Sequence, residues 1–92
     1  NNYVIGKTYT IKAKSGLYVR KGAGTKYAIK KVNDMTADGK AHCTSRNPSD
    51  NAVLKKGTRV TVQAVKKSGK DTWIRIPSGW ICAIQNAAVY VK

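Results

Sequence analysis

The chain has no phenylalanine and no glutamate, and its 92 residues include only two cysteines, two prolines and one histidine. Glycoside hydrolysis normally requires a pair of carboxylic acids. The four acids here are all aspartates, and three of them lie between residues 33 and 53. The one pairing of a thiol with a base, Cys43 with His42, joins sequence neighbours, whose side chains point to opposite faces of a strand. These shortages argue against catalysis.

Cysteine and histidine are also too few to indicate a metal centre. His42, Cys43 and Cys82 could in principle supply three zinc ligands, but no Cys-x-x-Cys or His-x-x-x-His spacing accompanies them. We therefore expect no metal and no cofactor. Cys43 and Cys82 could close one long loop in an oxidising compartment, or could be two small buried side chains. The sequence leaves both possibilities open.

Long apolar runs are missing as well. No segment approaches the ~20 residues of a membrane span, so no span is expected. The chain begins Asn-Asn, and no charged segment followed by an apolar one precedes the first strand-like run. We expect residues 1–92 to form a single domain taken from a longer protein or a processed product, with residues 1–6 as a linker remnant.

Positive charge, by contrast, is abundant. Lysine and arginine number 18 against four acids, a formal net charge of +14. Residues 1–32 carry a net +8 and residues 54–92 a net +7, whereas residues 33–53 carry −1. Such a body is expected to attract nucleic acid, anionic lipid headgroups or anionic wall polymers. Scattered lysines that only keep the domain soluble are the alternative.

Short alternating runs separated by turn residues predict an all-β fold. In the run that begins at Leu17, Leu17 and Val19 should face the core, while Ile74 and Ile76 should do so in a later run. Residues 66–71 are predicted to form a polar hairpin loop. Six or seven short strands favour a small curled barrel over a large sandwich. The predicted strands are 7–12, 17–20, 28–32, 58–65, 72–76, 80–83 and 86–91.

Residues 33–53 interrupt this pattern and are predicted to be a loop insertion. Asp38-Gly39 is a strong hairpin signal, with residues 35–37 and 40–43 as the arms. Asn47-Pro48-Ser49-Asp50 suits a turn or a single helical turn.

The order and spacing of the β pieces resemble the bacterial SH3-like domain of secreted cell-wall hydrolases, over most of residues 7–83. This chain departs from the usual family pattern at Tyr18, Lys21 and Ala23, where asparagine, serine and proline are common, and in the long insertion 33–53. The pieces that carry the resemblance are Leu17-Tyr-Val-Arg20, Lys21-Gly-Ala-Gly-Thr-Lys-Tyr27, Leu54-Lys-Lys-Gly57, Thr58-Arg-Val-Thr-Val62, Trp73-Ile-Arg-Ile76 and Gly79-Trp-Ile81.

The resemblance implies an SH3-like barrel that binds peptidoglycan and carries an attached hydrolase to its substrate. The expected companion is an N-acetylmuramoyl-L-alanine amidase or an endopeptidase, N-terminal to this domain. Autolysins and phage lysins have this organisation, so the expected location is extracellular and associated with the cell wall.

Strand parity predicts which side chains would contact such a ligand. Residues that alternate with core positions should face outward, and the flexible turn Gly22-Ala23-Gly24 should bring a tyrosine back beside them. Aromatic rings would then form the groove floor, and cations at its rim would pair with carboxylates of a stem peptide or a cross-bridge. Trp80 is predicted to be half-buried and to have a structural role. Arg20 could stack on a tyrosine and hold the turn instead of contacting the ligand. The predicted ligand-binding residues are Tyr18, Arg20, Tyr27, Trp73 and Arg75.

Two other functions fit parts of the sequence. A small basic β-barrel with exposed aromatic residues could bind RNA or DNA, and its affinity would then fall steeply with salt. An adaptor that binds proline-rich peptides usually has an acidic loop beside its groove, and the basic body here has a single aspartate. We rank wall binding first and the adaptor last.

Overall fold

The computed structural model describes residues 2–92 and confirms the predicted small all-β fold. The described part of the chain forms eight short strands, one or two more than predicted, with one short α-helix and one 3₁₀ helix. The strands are β1 (Thr8–Thr10), β2 (Leu17–Tyr18), β3 (Val53–Leu54), β4 (Arg59–Thr61), β5 (Ala64–Ser68), β6 (Asp71–Ile76), β7 (Gly79–Gln85) and β8 (Ala88–Val89). The 3₁₀ helix spans Val32–Asp34, and α1 spans Ala37–Ala41.

Backbone hydrogen bonds close most of these strands into a ring. Strand β1 pairs with β4, which bends into β5, and β5, β6, β7 and β8 then pair in order, all antiparallel. Beyond β8, Thr10 and Lys92 exchange two backbone hydrogen bonds of 3.1 and 3.0 Å. These bonds pair the C-terminal end of the chain with β1 and so close the ring. Closure leaves few unpaired strand edges, and it encloses the apolar side chains on one face of each strand.

The core is built from the alternate residues that the sequence pattern selects. Leu17 and Val19 are buried, as are Val60 and Val62 on the strand that passes from β4 towards β5. Ile74 and Ile81 lie opposite each other on β6 and β7 and are fully buried. Side chains that are distant in sequence, such as Leu17, Val62 and Ile81, therefore share one core.

Several predicted boundaries were wrong. The run 28–32 forms only isolated bridges, at Ile29 and Lys31, before the 3₁₀ helix begins. The predicted strand 58–65 is divided at its bend, so that β4 ends at Thr61 and β5 begins at Ala64. Lys66, Lys67 and Ser68, predicted as loop, belong to β5, because the hairpin turns on Gly69-Lys70 alone. Gly69, with φ +59°, stands where a type II′ turn takes glycine.

The insertion 33–53 is helical where a hairpin was predicted. Thr36 ends the extended backbone, and its hydroxyl oxygen accepts a 3.0 Å hydrogen bond from the Gly39 amide, which caps α1. Asp38 and Gly39 therefore lie within the helix. A side chain on Gly39 would collide with the Ser78 hydroxyl oxygen, so the glycine serves close packing and not a turn. The predicted turn at Asn47–Asp50 is present.

Buried side chains join the insertion to the barrel. Met35 and Cys43 are part of the hydrophobic core. The Thr36 and Ser78 hydroxyl groups are 2.9 Å apart, which ties the start of α1 to the turn between β6 and β7. The insertion is thus packed onto the body instead of extending from it.

The N-terminal segment also contacts the body. The segment 1–6 was predicted as a linker remnant, and Asn1 lies outside the described residues. Tyr3, however, is buried, and its hydroxyl donates a 2.6 Å hydrogen bond to the Val91 carbonyl oxygen. Its ring meets the edge of the Tyr9 ring at 5.1 Å between centroids. This part of the segment belongs to the fold.

The turn between β7 and β8 contains a strained alanine. Asn86 and Ala87 both have positive φ, at +43° and +75°, as a type I′ turn requires. Asparagine tolerates this region, but the alanine Cβ is crowded there by its own backbone. We therefore expect Ala87→Gly to stabilise the domain by about 1 kcal/mol and to raise its melting temperature by about 4–8 °C.

The matched control is Ala88→Gly, one residue further on in β8. Replacing an alanine of a strand with glycine costs up to about 0.5–1 kcal/mol, so this variant should melt at a lower temperature than the original protein. Thermal unfolding followed by circular dichroism compares the two. Equal shifts in the same direction would contradict the assigned strain at Ala87.

Candidate functional site

One open groove of about 420 Å³ lies where β2, β6 and β7 meet the turn that precedes β2. The antiparallel bridge between Arg20 and Trp80 joins the chain after β2 to β7, and Trp80 in turn lies opposite Arg75 on β6. Tyr90 adds a ring from the C-terminal segment. The groove is lined by Ala13, Lys14, Ser15, Gly16, Leu17, Tyr18, Arg20, Thr25, Asp71, Trp73, Cys82, Gln85 and Tyr90.

Arg20 organises the glycine-rich loop beside this groove. Its guanidinium donates hydrogen bonds to the carbonyl oxygens of Thr25, at 3.3 Å, and Tyr27, at 3.0 Å. Its Cζ also lies 5.8 Å from the centre of the Tyr18 ring, within the range of a cation–π contact. Arg20 therefore has the turn-holding role that the sequence offered as its alternative, while it also lines the groove.

Tyr18 is the exposed aromatic residue of the groove. It is 50% exposed, because it alternates with the buried Leu17 and Val19 on the same strand. Extending the register of the Arg20–Trp80 bridge by two residues brings Tyr18 beside Cys82, which lies opposite Trp73. Tyr18, Cys82 and Trp73 thus form a row across three strands.

Trp73 was predicted to face outward, and this was wrong: only 4% of it is exposed. The parity argument itself holds, because Trp73 lies on the face opposite Ile74. That face is not open to solvent at this point, since Tyr18, Tyr90 and the 13–16 turn line the same groove around it. Trp73 therefore lines the groove with very little exposed surface.

The two other predicted residues lie outside the groove lining. Tyr27 is 38% exposed, and its ring rests on the backbone of Gly22, where an added Cβ would come within 2.6 Å of the ring. This close approach explains the glycine at position 22. Arg75 is exposed on β6, beside Trp80. Trp80 itself is half-buried, as predicted.

The charges in the groove have opposite signs. Lys14 and Arg20 bring positive charge, and Asp71 brings the one negative charge. Cys82 lies between them: burial, and secondly the Asp71 carboxylate, raise the pKa of its thiol to about 11, while Arg20 acts in the opposite direction. At neutral pH this thiol is protonated and a poor nucleophile. Both cysteines are free thiols in the structure, Cys43 being buried, so no bridge joins them.

The excess of cations is not neutralised within the domain. Across residues 2–92, no lysine or arginine lies within salt-bridge distance of a carboxylate, and the one ion-pair contact joins His42 to Asp38 at 3.5 Å. The acids instead hold local structure: Asp34 accepts a hydrogen bond from the Lys31 amide, Asp50 one from the Ser45 hydroxyl, and Asp71 one from the Asn86 amide. The field of the +14 charge is therefore available to a polyanionic partner.

The side chains of His42 and Cys43 have different surroundings. The His42 ring nitrogen Nδ1 lies 2.8 Å from the Asp38 carbonyl oxygen, and Cys43 is buried in the core. No cluster of three or more metal-ligating side chains is found within the described range, residues 2–92. In the same range, no helix is long and apolar enough to cross a membrane.

Comparison of the chain with protein-family models, curated proteins and solved structures gives no match. The groove and its charges therefore have to be interpreted from their own chemistry.

Sequence reasoning missed part of this site. Asp71, Gln85 and Tyr90 also line the groove, and they lie at the start of β6, at the end of β7 and just after β8. Asp71 was predicted to be part of the hairpin loop 66–71. The one sequence signal was the isolation of Asp71, the single acid in residues 54–92.

Proposed function

We propose that this chain is a non-catalytic, peptidoglycan-binding module that holds an attached cell-wall hydrolase, an amidase or an endopeptidase, on its substrate outside the cell. The single observation that carries the proposal is the groove, which is lined by the exposed Tyr18 ring, by the Arg20 guanidinium in contact with that ring, and by the buried Trp73. Aromatic surface with few rotatable bonds can bind a peptide or sugar face at little entropic cost.

The charges suit a wall peptide. Stem peptides carry carboxylates, backbone amides and small methyl groups, and Lys14 and Arg20 can each donate hydrogen bonds to a carboxylate. The unpaired cations of the body add a longer-range attraction to anionic wall polymers. The resemblance to bacterial SH3-like domains supports the same assignment through the pieces from Leu17 to Ile81.

The test is co-sedimentation of the domain with Gram-positive sacculi from which teichoic acid has been stripped, at low and at high salt. We expect the domain to be retained at both, because at 1 M salt charges more than about 3 Å apart are screened, while the groove contacts remain. Loss of binding at high salt would contradict the proposal. It would mean that binding depends on the net charge of the domain. That result would favour the nucleic-acid alternative, whose affinity falls steeply with salt.

A further inference from the structure

Asp71 is an unusual residue in its surroundings. The other three acids lie on the exposed insertion, whereas Asp71 is half-buried on β6 and lines the groove. Its Oδ1 accepts a 3.1 Å hydrogen bond from the backbone N–H of Asn86, and this bond holds the turn between β7 and β8. Within the described part of the chain, the other carboxylate oxygen of Asp71 accepts no hydrogen bond. In the same part of the chain, none of the 18 lysines and arginines forms a salt bridge with Asp71. A carboxylate oxygen is thus left available in the groove.

The register of the sheet explains why Asp71 and Arg20 do not pair. Arg20 shares a row with Trp80 and Arg75, and Asp71 lies four residues before Arg75 on the same strand. At about 3.3 Å per residue, the two rows are about 13 Å apart along the strand direction. Cys82 lies on the row between them, which is why both charges act on its thiol.

We propose that Asp71 binds a primary ammonium group of the ligand, while Arg20 and Lys14 bind a carboxylate further along the groove. The proposal rests on the proposed function and specifies the form of peptidoglycan: an extended stem or bridge peptide whose amine is free. That amine is consumed when the cross-link forms an amide, so the domain binds un-cross-linked peptide in preference to cross-linked peptide. A separation of about 13 Å corresponds to about four residues of an extended peptide.

Acetylation of the wall amines separates this proposal from general electrostatics. Acetic anhydride converts each free ammonium into a neutral amide, so the sacculi become more negative. A domain of charge +14 that binds by charge alone should then bind more tightly. If the Asp71 carboxylate binds the ammonium group, acetylation should have the opposite effect. The affinity should fall by about tenfold, which corresponds to the loss of one charged hydrogen bond in a half-buried site.

The variant for this test is Asp71→Asn. The asparagine side-chain oxygen can still accept the hydrogen bond from the Asn86 amide, so only the charge is removed. The matched control is Asp38→Asn, which makes the same charge change on α1, outside the groove. Affinities for teichoic-acid-free sacculi, untreated and acetylated, are measured at high salt for the three proteins.

We expect the original protein and Asp38→Asn to lose about tenfold in affinity on acetylated sacculi, and Asp71→Asn to bind both preparations equally weakly. Equal or tighter binding of the original protein to acetylated sacculi would overturn the role of Asp71 and leave the proposed function standing. Sensitivity to acetylation that persists in Asp71→Asn would also overturn it. Failure of the original protein to bind untreated sacculi would instead overturn the proposed function. If Asp71→Asn does not fold, the comparison of the two preparations with the original protein remains decisive.

Discussion

Trp73→Ala should unfold the domain or bring it close to unfolding. Trp73 is 4% exposed and lies between strands β5 and β7, opposite Lys66 and Cys82. Replacing a buried tryptophan with alanine removes apolar contact and leaves a cavity, at a cost of about 3–5 kcal/mol. Small domains have a total free energy of unfolding of about 5–15 kcal/mol, so the melting temperature should fall by more than about 12 °C.

Arg75→Ala is the control for this effect. Arg75 lies two residues further along β6 on the same face but is exposed, so its truncation should change the free energy of unfolding by less than about 0.5 kcal/mol. Thermal unfolding can be followed through the fluorescence of Trp80, the one other tryptophan. A Trp73→Ala protein that melts like the original would show that Trp73 is not the packed floor of the groove.

Tyr18→Ala should weaken wall binding by about tenfold or more while the domain stays folded. Half of Tyr18 is exposed in the groove, so its truncation removes ligand-facing aromatic surface and creates little cavity. The loss of its contact with Arg20 should cost no more than about 1 kcal/mol of stability at this exposed site. Binding to stripped sacculi at high salt and the melting temperature are measured together.

Tyr27→Ala supplies a matched control from the glycine-rich loop that follows β2. It removes the same side chain from a position that is also exposed but lies outside the groove lining. We expect its wall affinity to stay within about twofold of the original. A loss of binding in Tyr27→Ala but not in Tyr18→Ala would move the ligand to the outer side of the loop. No loss in either variant would contradict the groove assignment.

The sequence alone was sufficient for the fold class and for most of the core. Alternation along short runs selected Leu17, Val19, Ile74 and Ile76 correctly, because a strand turns successive side chains to opposite faces whatever surrounds it. Net charge and the shortage of carboxylates are likewise properties of the composition. Local signals were weaker in the insertion, where Asp38-Gly39 is compatible with both a hairpin and a capped helix. The Thr36 cap and the packing of Gly39 against Ser78 decided for the helix.

Only the tertiary structure determined which outward-facing side chains are open to solvent. Parity placed Tyr18 and Trp73 on the same face, but one is half exposed and the other is buried. The difference arises because the C-terminal segment, the 13–16 turn and β2 come together around Trp73, through contacts between residues distant in the chain. The same convergence brings Asp71 into the groove. Residue type and alternation are local properties, whereas solvent exposure depends on what packs above a residue, and in a closed barrel that is set by pairing between distant strands.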